Sequence, residues 1–416
     1  MPTHSWDEHQ VRLYFPALAL QDDGQPRLYA DAPGGTQMAK RAIDCMTDLM
    51  VNFCANDGGV FRTSDQTVKA MAAAHDAAAV FYNCDSDEVL YGLNTTSVLF
   101  HFASMIARDW HAGDNIVLTR MDHDANVAPW LLAAESKGVE IRWLEFDLNT
   151  YHYQYAQLPR LIDRNTKFVA CNYASNFLGT INNVSEIIQA AKTVNALTMV
   201  DAVQAAAHLA IDVKALGCDL LASSPYKYFG PHAGLLYVKR DLADRLTPLK
   251  VRPSPHEMPY KHAPGTPSFE AQAGCRGAIE HLIELGKRFG GAEHASARDQ
   301  LIAGFEASIA HESKLSQRFL DRLRDLPNVT LYGSQRPSDR VPTFSFEVKG
   351  HSSTSIAKAL AAQNIFVWCG SFYAYEIAKT LGIDKTDGVV RIGFAHYNTL
   401  SEVEKIGDAL EHIVKS

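Results

Sequence analysis

The sequence predicts an α/β protein, a large body on a mostly parallel sheet with a smaller α+β unit at its C-terminal end. Three observations predict it. Helical and strand-like patterns alternate from about residue 70 to 240. A shorter alternating pattern restarts near residue 340. The 416 residues suit one large α/β body with an appendage, or two to three domains. Alternation of this kind implies βαβ units and a sheet covered on both faces.

The elements follow in chain order. "TVKAMAAAHDAAAVF" (67–81) is alanine-rich and helical, and a helix is expected around 96–108. "DNIVLTR" (114–120) reads as a strand, "PWLLAAESKG" (129–138) as a helix ending at glycine, and "VEIRWLEF" (139–146) as a strand. "TKFVACNY" (166–173), "ALTMVD" (196–201) and "DLLAS" (219–223) are further strands, with a helix at "VSEIIQAAKTVN" (184–195). "VRPSPHEMPYKHAPGTPS" (251–268) is a long ordered loop, and a charged helical stretch runs to about 325. The tail offers "RVPTFSFEV" (340–348), a helix over 353–363, "IFVW" (365–368), a helix over 373–382 and "GVVRIGFA" (388–395). A last helix starts at Thr399, where "TLSE" has capping-box spacing. The large domain is placed at 30–290 and the small one at 1–29 plus 291–416.

Composition narrows the function classes. The formal net charge of -8 argues against a broad nucleic-acid-binding face. Seven widely spaced cysteines without C-x-x-C fit reduced thiols rather than a disulfide framework or zinc knuckle. No signal-peptide pattern or membrane-length apolar run is visible, so a cytoplasmic protein is expected. "HEMPYKH" (256–262) is not H-E-x-x-H, and Pro259 would break the helix that motif needs, so no metal is expected.

In open α/β sheets, ligands bind beyond the carboxyl ends of the strands. The residues there are Asp122, His123 and Asn126 after one strand, and Ser175 and Asn176 after another. Asp201, Gln204 and His208 follow a third, and Ser224 and Lys227 a fourth. Asn94, Thr95, Thr96 and Ser97 open the helix near 96–108. Singly these residues are ordinary: a lone Asp is more often a cap, a lone His a core residue, and "NTTS" an N-cap cluster. Their convergence is what points to chemistry.

Pyridoxal phosphate uses every one of these groups. Its aldehyde needs a lysine amine, which explains a single lysine, Lys227, in "SSPYKYFGPHAG" (223–234) just past an apolar strand. Its pyridinium needs a carboxylate, its phosphate a helix N-terminus with hydroxyls, and its ring an aromatic partner. The order of "DHDANVAPW" (122–130), "SNFLGT" (175–180), "DAVQAAAH" (201–208), "SSPYKYFGP" (223–231), "PGTPSFE" (264–270) and "VVRIGFAHYNT" (389–399) resembles the class V aminotransferases. Within them it is similar to the cysteine desulfurase-like group, on the fold-type I scaffold.

That resemblance implies specific roles. Lys227 forms the internal aldimine and later shuttles the α-proton. Asp201 pairs with the pyridinium nitrogen, and His123 stacks on the ring. Asn176 and Gln204 contact the ring oxygen, while Thr95, Thr96 and Ser224 bind phosphate. Tyr226 stands where the group commonly has histidine, and its phenol can still donate to phosphate. Thr266 reaches the phosphate of a neighbouring subunit, which implies a homodimer with shared sites. Arg391 clamps the α-carboxylate of a small α-amino acid.

The resemblance fails at one loop. Desulfurases carry a nucleophilic cysteine there, and "VWCGSFYA" (367–374) holds Tyr373 at the counted position, with Cys369 four residues earlier. Cys369 is either a surrogate nucleophile or a small residue at a strand end, and the second reading is favoured. Tyr373 shapes the pocket or serves as an acid/base group. The segments 33–37 and 367–375 suggest an aromatic or apolar pocket wall, although such residues also serve plain packing. The expected chemistry is C–S β-elimination or sulfur removal from a cysteine-type substrate. The rivals are a transaminase or epimerase on the same scaffold and a non-catalytic partner-binding relative. The joint presence of Lys227, Asp201, His123 and Arg391 argues against the last.

Overall fold

The computed structural model describes residues 6–415. Its main sheet has seven strands: β1 (Val89–Gly92), β2 (Asn115–Thr119), β3 (Glu140–Leu144), β4 (Thr166–Asn172), β5 (Leu197–Asp201), β6 (Leu220–Ser223) and β7 (Gly234–Val238). Their spatial order is β1-β7-β6-β5-β4-β2-β3, and only β7 runs against the rest. The chain steps outward from β2 to β3, then returns to place β4 on the other side of β2. This reversal opens a crevice at the carboxyl ends of the central strands.

Strand burial explains the continuous apolar runs in the sequence. Every residue of β2 and of β7 is buried. Neighbours along a strand then feed opposite cores, as a two-residue period requires. Val117 belongs to one core, with Val169, Val200 and Leu221. Ile116 and Leu118 belong to the other, with Phe168, Met199 and Leu220. Each such side chain contributes about 1.5–3 kcal/mol on burial.

Ten helices of seven or more residues lie among the described residues: α1 (Lys40–Asn52), α2 (Arg62–Tyr82), α3 (Thr95–Ile106), α4 (Ala128–Lys137), α5 (Val184–Lys192), α6 (Phe269–Phe289), α7 (Ala297–Asp325), α8 (Ser353–Ala361), α9 (Tyr375–Leu381) and α10 (Leu400–Lys415). The expected stop of α4 is present: Gly138 takes φ 67°, and its N–H caps the Ala134 and Glu135 carbonyls. The start of α10 is a true capping box. Glu402 N–H donates to Thr399 Oγ1 at 3.2 Å, and Thr399 N–H donates to Glu402 Oε2 at 3.1 Å.

A second sheet joins β8 (Val329–Tyr332), β9 (Thr343–Val348), β10 (Trp368–Gly370) and β11 (Val389–Gly393) in the antiparallel order β8-β9-β11-β10. Its core contains Phe344, Phe346, Ile392 and Phe394, packed with Leu28 and with Leu315 and Phe319 of α7. The same long helix gives Leu301 and Phe305 to the first core of the main sheet. "IFVW" is not one strand. Ile365–Phe366 pairs in parallel with Leu28–Tyr29, whereas Trp368 turns to pair with Arg391. The chain switches sheets at Val367, because one half covers the N-terminal segment and the other borders the crevice.

Candidate active site

The crevice holds a cavity of about 1580 Å³. Its floor is set by the ends of β4, β5 and β6, and its rim by α3, the turn after β2 and the 368–376 segment. Lys227 sits in a single helical turn directly after β6 and is only 8 % exposed. Its Nζ donates to the carbonyls of Pro33 and Gly34, the latter at 3.1 Å, and lies 4.8 Å from the Tyr226 ring centre. Burial, with the Arg391 charge second, pushes the Lys227 ammonium down to about 7 against the pull of Asp201 and Asp31. A large part of the amine population is therefore neutral and nucleophilic near neutral pH.

Asp201 ends β5, accepts from the Val203 N–H at 2.8 Å and is pushed by burial up to about 6. His123 Nδ1 accepts from the Ala125 N–H at 3.0 Å, so its remaining proton is on Nε2. Burial and the cations Lys227 and Arg391 push it down to about 4, which keeps the ring neutral above that pH. The start of α3 stands opposite. Asn94 Oδ1 caps the Ser97 N–H at 2.8 Å, and Thr95 Oγ1 pairs with Ser224 Oγ at 2.6 Å. Thr96 is exposed there at the cavity wall. This turn reaches the sheet because residue 234 has no side chain. A Cβ on Gly234 would lie 2.5 Å from the Asn94 carbonyl carbon.

Arg391, in β11, is 4 % exposed and makes no ion pair among the described residues. Its Nη1 donates to the Asn176 carbonyl at 3.0 Å, Phe372 covers its guanidinium at 3.8 Å, and its Nε is buried without a partner. Burial pushes its pKa down to about 9. The Asn176 Oδ1 and Gln204 Oε1 oxygens are also buried and unpartnered. All three residues line the same cavity. An unpaired buried polar group costs about 1–3 kcal/mol, more for a charged one, so three around one cavity mark a place for a polar ligand.

The cavity therefore gathers Thr95, Thr96, His123, Asn176, Asp201, Gln204, Ser224, Tyr226, Lys227, Cys369, Tyr373 and Arg391. Tyr226 stacks on His232 at 4.6 Å. Thr266 is exposed in the loop before α6 and does not line this cavity. Several strand-end residues are structural instead. Asp122 turns inward to bind Thr119 and Asn126, and burial beside Asp201 pushes it up to about 8. Ser175 Oγ accepts from the Phe177 and Leu178 N–H groups. His208 pairs with Glu312 at 2.9 Å, away from the cavity.

Sequence reasoning gave no role to Asp31 within "ADAPGGTQ" (30–37). Burial pushes Asp31 up to about 6, against the attraction of Arg391 and Lys227, and its Oδ1 has no partner. The available signal was a lone charge two residues ahead of the 33–37 segment already assigned to the pocket.

The residues present fit a phosphorylated pyridine aldehyde. A buried amine of lowered pKa, a carboxylate, a flat neutral imidazole and a hydroxyl-rich helix start face one space, and orphaned polar atoms remain for further contacts.

A family model described as "Aminotransferase class-V" matches residues 28–406. The chain is similar to the aminotransferase-like protein FGM3 of Gibberella zeae, 33% identical over 423 residues and spanning 100% of both chains. It is also similar to a cysteine desulfurase of Pectobacterium carotovorum, 29% identical and covering 98% of each. Among solved structures, a cysteine desulfurase from Thermococcus onnurineus superposes with a TM-score of 0.88 at 26% identity, covering 98% of each chain. The cysteine desulfurase CsdA of Escherichia coli shares the fold, with a TM-score of 0.83 at 23% identity and 98% coverage of each chain.

Proposed function

The chain belongs to the class V aminotransferase family, whose members are pyridoxal-phosphate enzymes, and on that premise we propose that it cleaves the Cβ–S bond of a cysteine-type α-amino acid, by β-elimination or sulfur removal. One observation carries the reading: a buried Lys227, its ammonium pushed down to about 7, shares a cavity with a buried Arg391 that makes no ion pair among the described residues.

Bound pyridoxal phosphate supplies an electron sink for the pair left when a proton departs from the substrate Cα. Asp201 would hold its ring nitrogen, His123 its face, and Asn176 and Gln204 its ring oxygen. Thr95, Thr96, Ser224 and Tyr226 would hold its phosphate at the start of α3, where backbone N–H groups favour an anion. Thr266, exposed and outside its own cavity, suits the phosphate of a second subunit in a homodimer.

Arg391 receives the substrate carboxylate on its free Nε side, forming the ion pair it lacks. Phe372 covers the guanidinium and keeps water off that pair. The Lys227 amine, neutral in large part near pH 7, takes the proton from Cα and returns it to product. The neighbouring carbonyls of Pro33 and Gly34 hold the amine on that side of the cavity.

The relative named as aminotransferase-like keeps transamination or epimerisation as a second reading. Dependence on a keto-acid co-substrate would identify transamination. The main test uses protein supplied with pyridoxal phosphate and reduced with borohydride. Peptide mass mapping should find the pyridoxyl group on Lys227, and a visible absorbance band should vanish in Lys227→Ala. A colourless protein with residue 227 unmodified would refute the assignment.

A further inference from the structure

The wall beside Arg391 restricts what can be attached to the substrate sulfur. Trp368 and Arg391 are directly opposed in the antiparallel β10–β11 pair. Directly opposed residues project to the same face of a sheet, about 5 Å apart at Cβ. The indole is 51 % exposed and lies against the Gly34 segment, where a Cβ on Gly34 would be 2.3 Å from Trp368 Nε1. That segment also holds the Lys227 amine. Phe372 lies over the Arg391 guanidinium. Tyr373 is 77 % exposed, with its ring 5.6 Å from that of His123.

The aromatic turn is held in place. Phe372 and Tyr373 have φ of 57° and 56°, a left-handed pair without glycine. Such a conformation persists only where surrounding contacts enforce it. Here Asn176 Nδ2 donates to the Phe372 carbonyl at 3.0 Å, and the Asp124 N–H donates to the Tyr373 carbonyl at 2.8 Å. An amino acid bound at Arg391 with its Cα at Lys227 would have Trp368 and Tyr373 in the wall of the cavity around its side chain.

Cys369 lines the same cavity but stands on the other face of its strand. Cys369 opposes Val390, whose side chain lies in the core of the second sheet, so Cys369 projects to the face opposite Trp368 and Arg391. Its Sγ is 3.8 Å from Thr354 Oγ1 on α8. A sulfur held at Arg391 has no cysteine on that face to accept it. On that geometry the sulfur would depart with whatever it carries.

We propose that the site acts on cysteine thioethers bearing an aromatic or bulky apolar group on sulfur, and that Trp368 is the residue selecting them. This deepens the preceding reading and rests on it. The Cα proton goes to Lys227, and the Cβ–S bond breaks with its electron pair on sulfur. The thiolate takes a proton and leaves as R–SH. Water hydrolyses the remaining unsaturated amine to pyruvate and ammonium, with no net oxidation or reduction. The cavity of about 1580 Å³ takes in both the space the cofactor would fill and the Trp368–Tyr373 side, and it exceeds the roughly 300–1,000 Å³ of an ordinary small-molecule pocket.

The test compares S-benzyl-L-cysteine with L-cysteine on the holoenzyme, measuring pyruvate together with benzyl thiol or sulfide. The expected kcat/KM ratio favours the benzyl compound by about tenfold or more. That ratio should fall about tenfold in Trp368→Ala and recover in Trp368→Phe. A second readout needs no turnover. Calorimetry of 3-(benzylthio)propanoate, which lacks the reacting amine, should show tighter binding than 3-mercaptopropanoate to wild type, and the difference should shrink in Trp368→Ala. Preference for L-cysteine, or a ratio indifferent to Trp368→Ala, overturns the inference. If borohydride still labels Lys227 in that case, only the inference falls; if Lys227 stays unlabelled, the underlying reading falls as well.

Discussion

Lys227→Met should stabilise the cofactor-free protein at pH 6 relative to pH 10.5, a comparison that isolates the cost of holding this amine in the cavity. The ammonium is pushed from 10.5 down to about 7, chiefly by burial and secondarily by Arg391. Between those values the unfolded chain binds a proton that the native protein does not, so wild-type stability falls as pH drops from 10.5 and levels off below 7. A displacement of this size corresponds to at most about 5 kcal/mol. Methionine removes the titration and also leaves the Pro33 and Gly34 carbonyls without their donor. The second effect is the same at both pH values and cancels in the comparison. For 416 residues the unfolding entropy is about 0.9 kcal/mol per kelvin. The variant-minus-wild-type Tm difference should therefore be up to about 6 °C more favourable at the lower pH. Calorimetric scans of both apo-proteins at the two pH values measure it. An equal Tm difference at both would refute a depressed lysine.

Two further substitutions probe the ends of the site. Gly234→Ala forces a Cβ to within 2.5 Å of the Asn94 backbone, so the start of α3 must move. It should cost about 1–3 kcal/mol in stability and weaken pyridoxal phosphate binding about tenfold, read by thermal scans and equilibrium dialysis. Unchanged cofactor affinity would remove that turn from phosphate binding. Arg391→Lys keeps the charge and loses the planar fork, so kcat/KM should drop about 10–100-fold while borohydride labelling of Lys227 persists. A loss below about threefold would remove Arg391 from carboxylate binding.

Most of the main sheet was legible because its strands are short buried runs separated by helices with clear stops. β2, β4, β5 and β6 fall within the expected spans, and Gly138 closes α4 as its position suggested. β1 and β7 were not singled out. β1 joins the sheet by a pairing remote in sequence, to β7, which runs antiparallel to both of its neighbours, and no local period distinguishes such strands. "IFVW" misled for a related reason: four apolar residues look the same whether they form one strand or change partners midway.

The strand-end rule located the crevice and could not say which way each side chain turns. Asp122 and His123 are adjacent, yet Asp122 locks its own turn while His123 enters the cavity. His208 follows the same strand as Asp201 and ends beside Glu312. The orientation of Cys369 needed the register of β10 on β11, because one residue of slip would exchange it with Trp368 on the Arg391 face. That register decides the chemistry argued above. With Trp368 beside Arg391, the sulfur of the proposed substrate would meet an indole; with the strand shifted by one, it would meet a thiol.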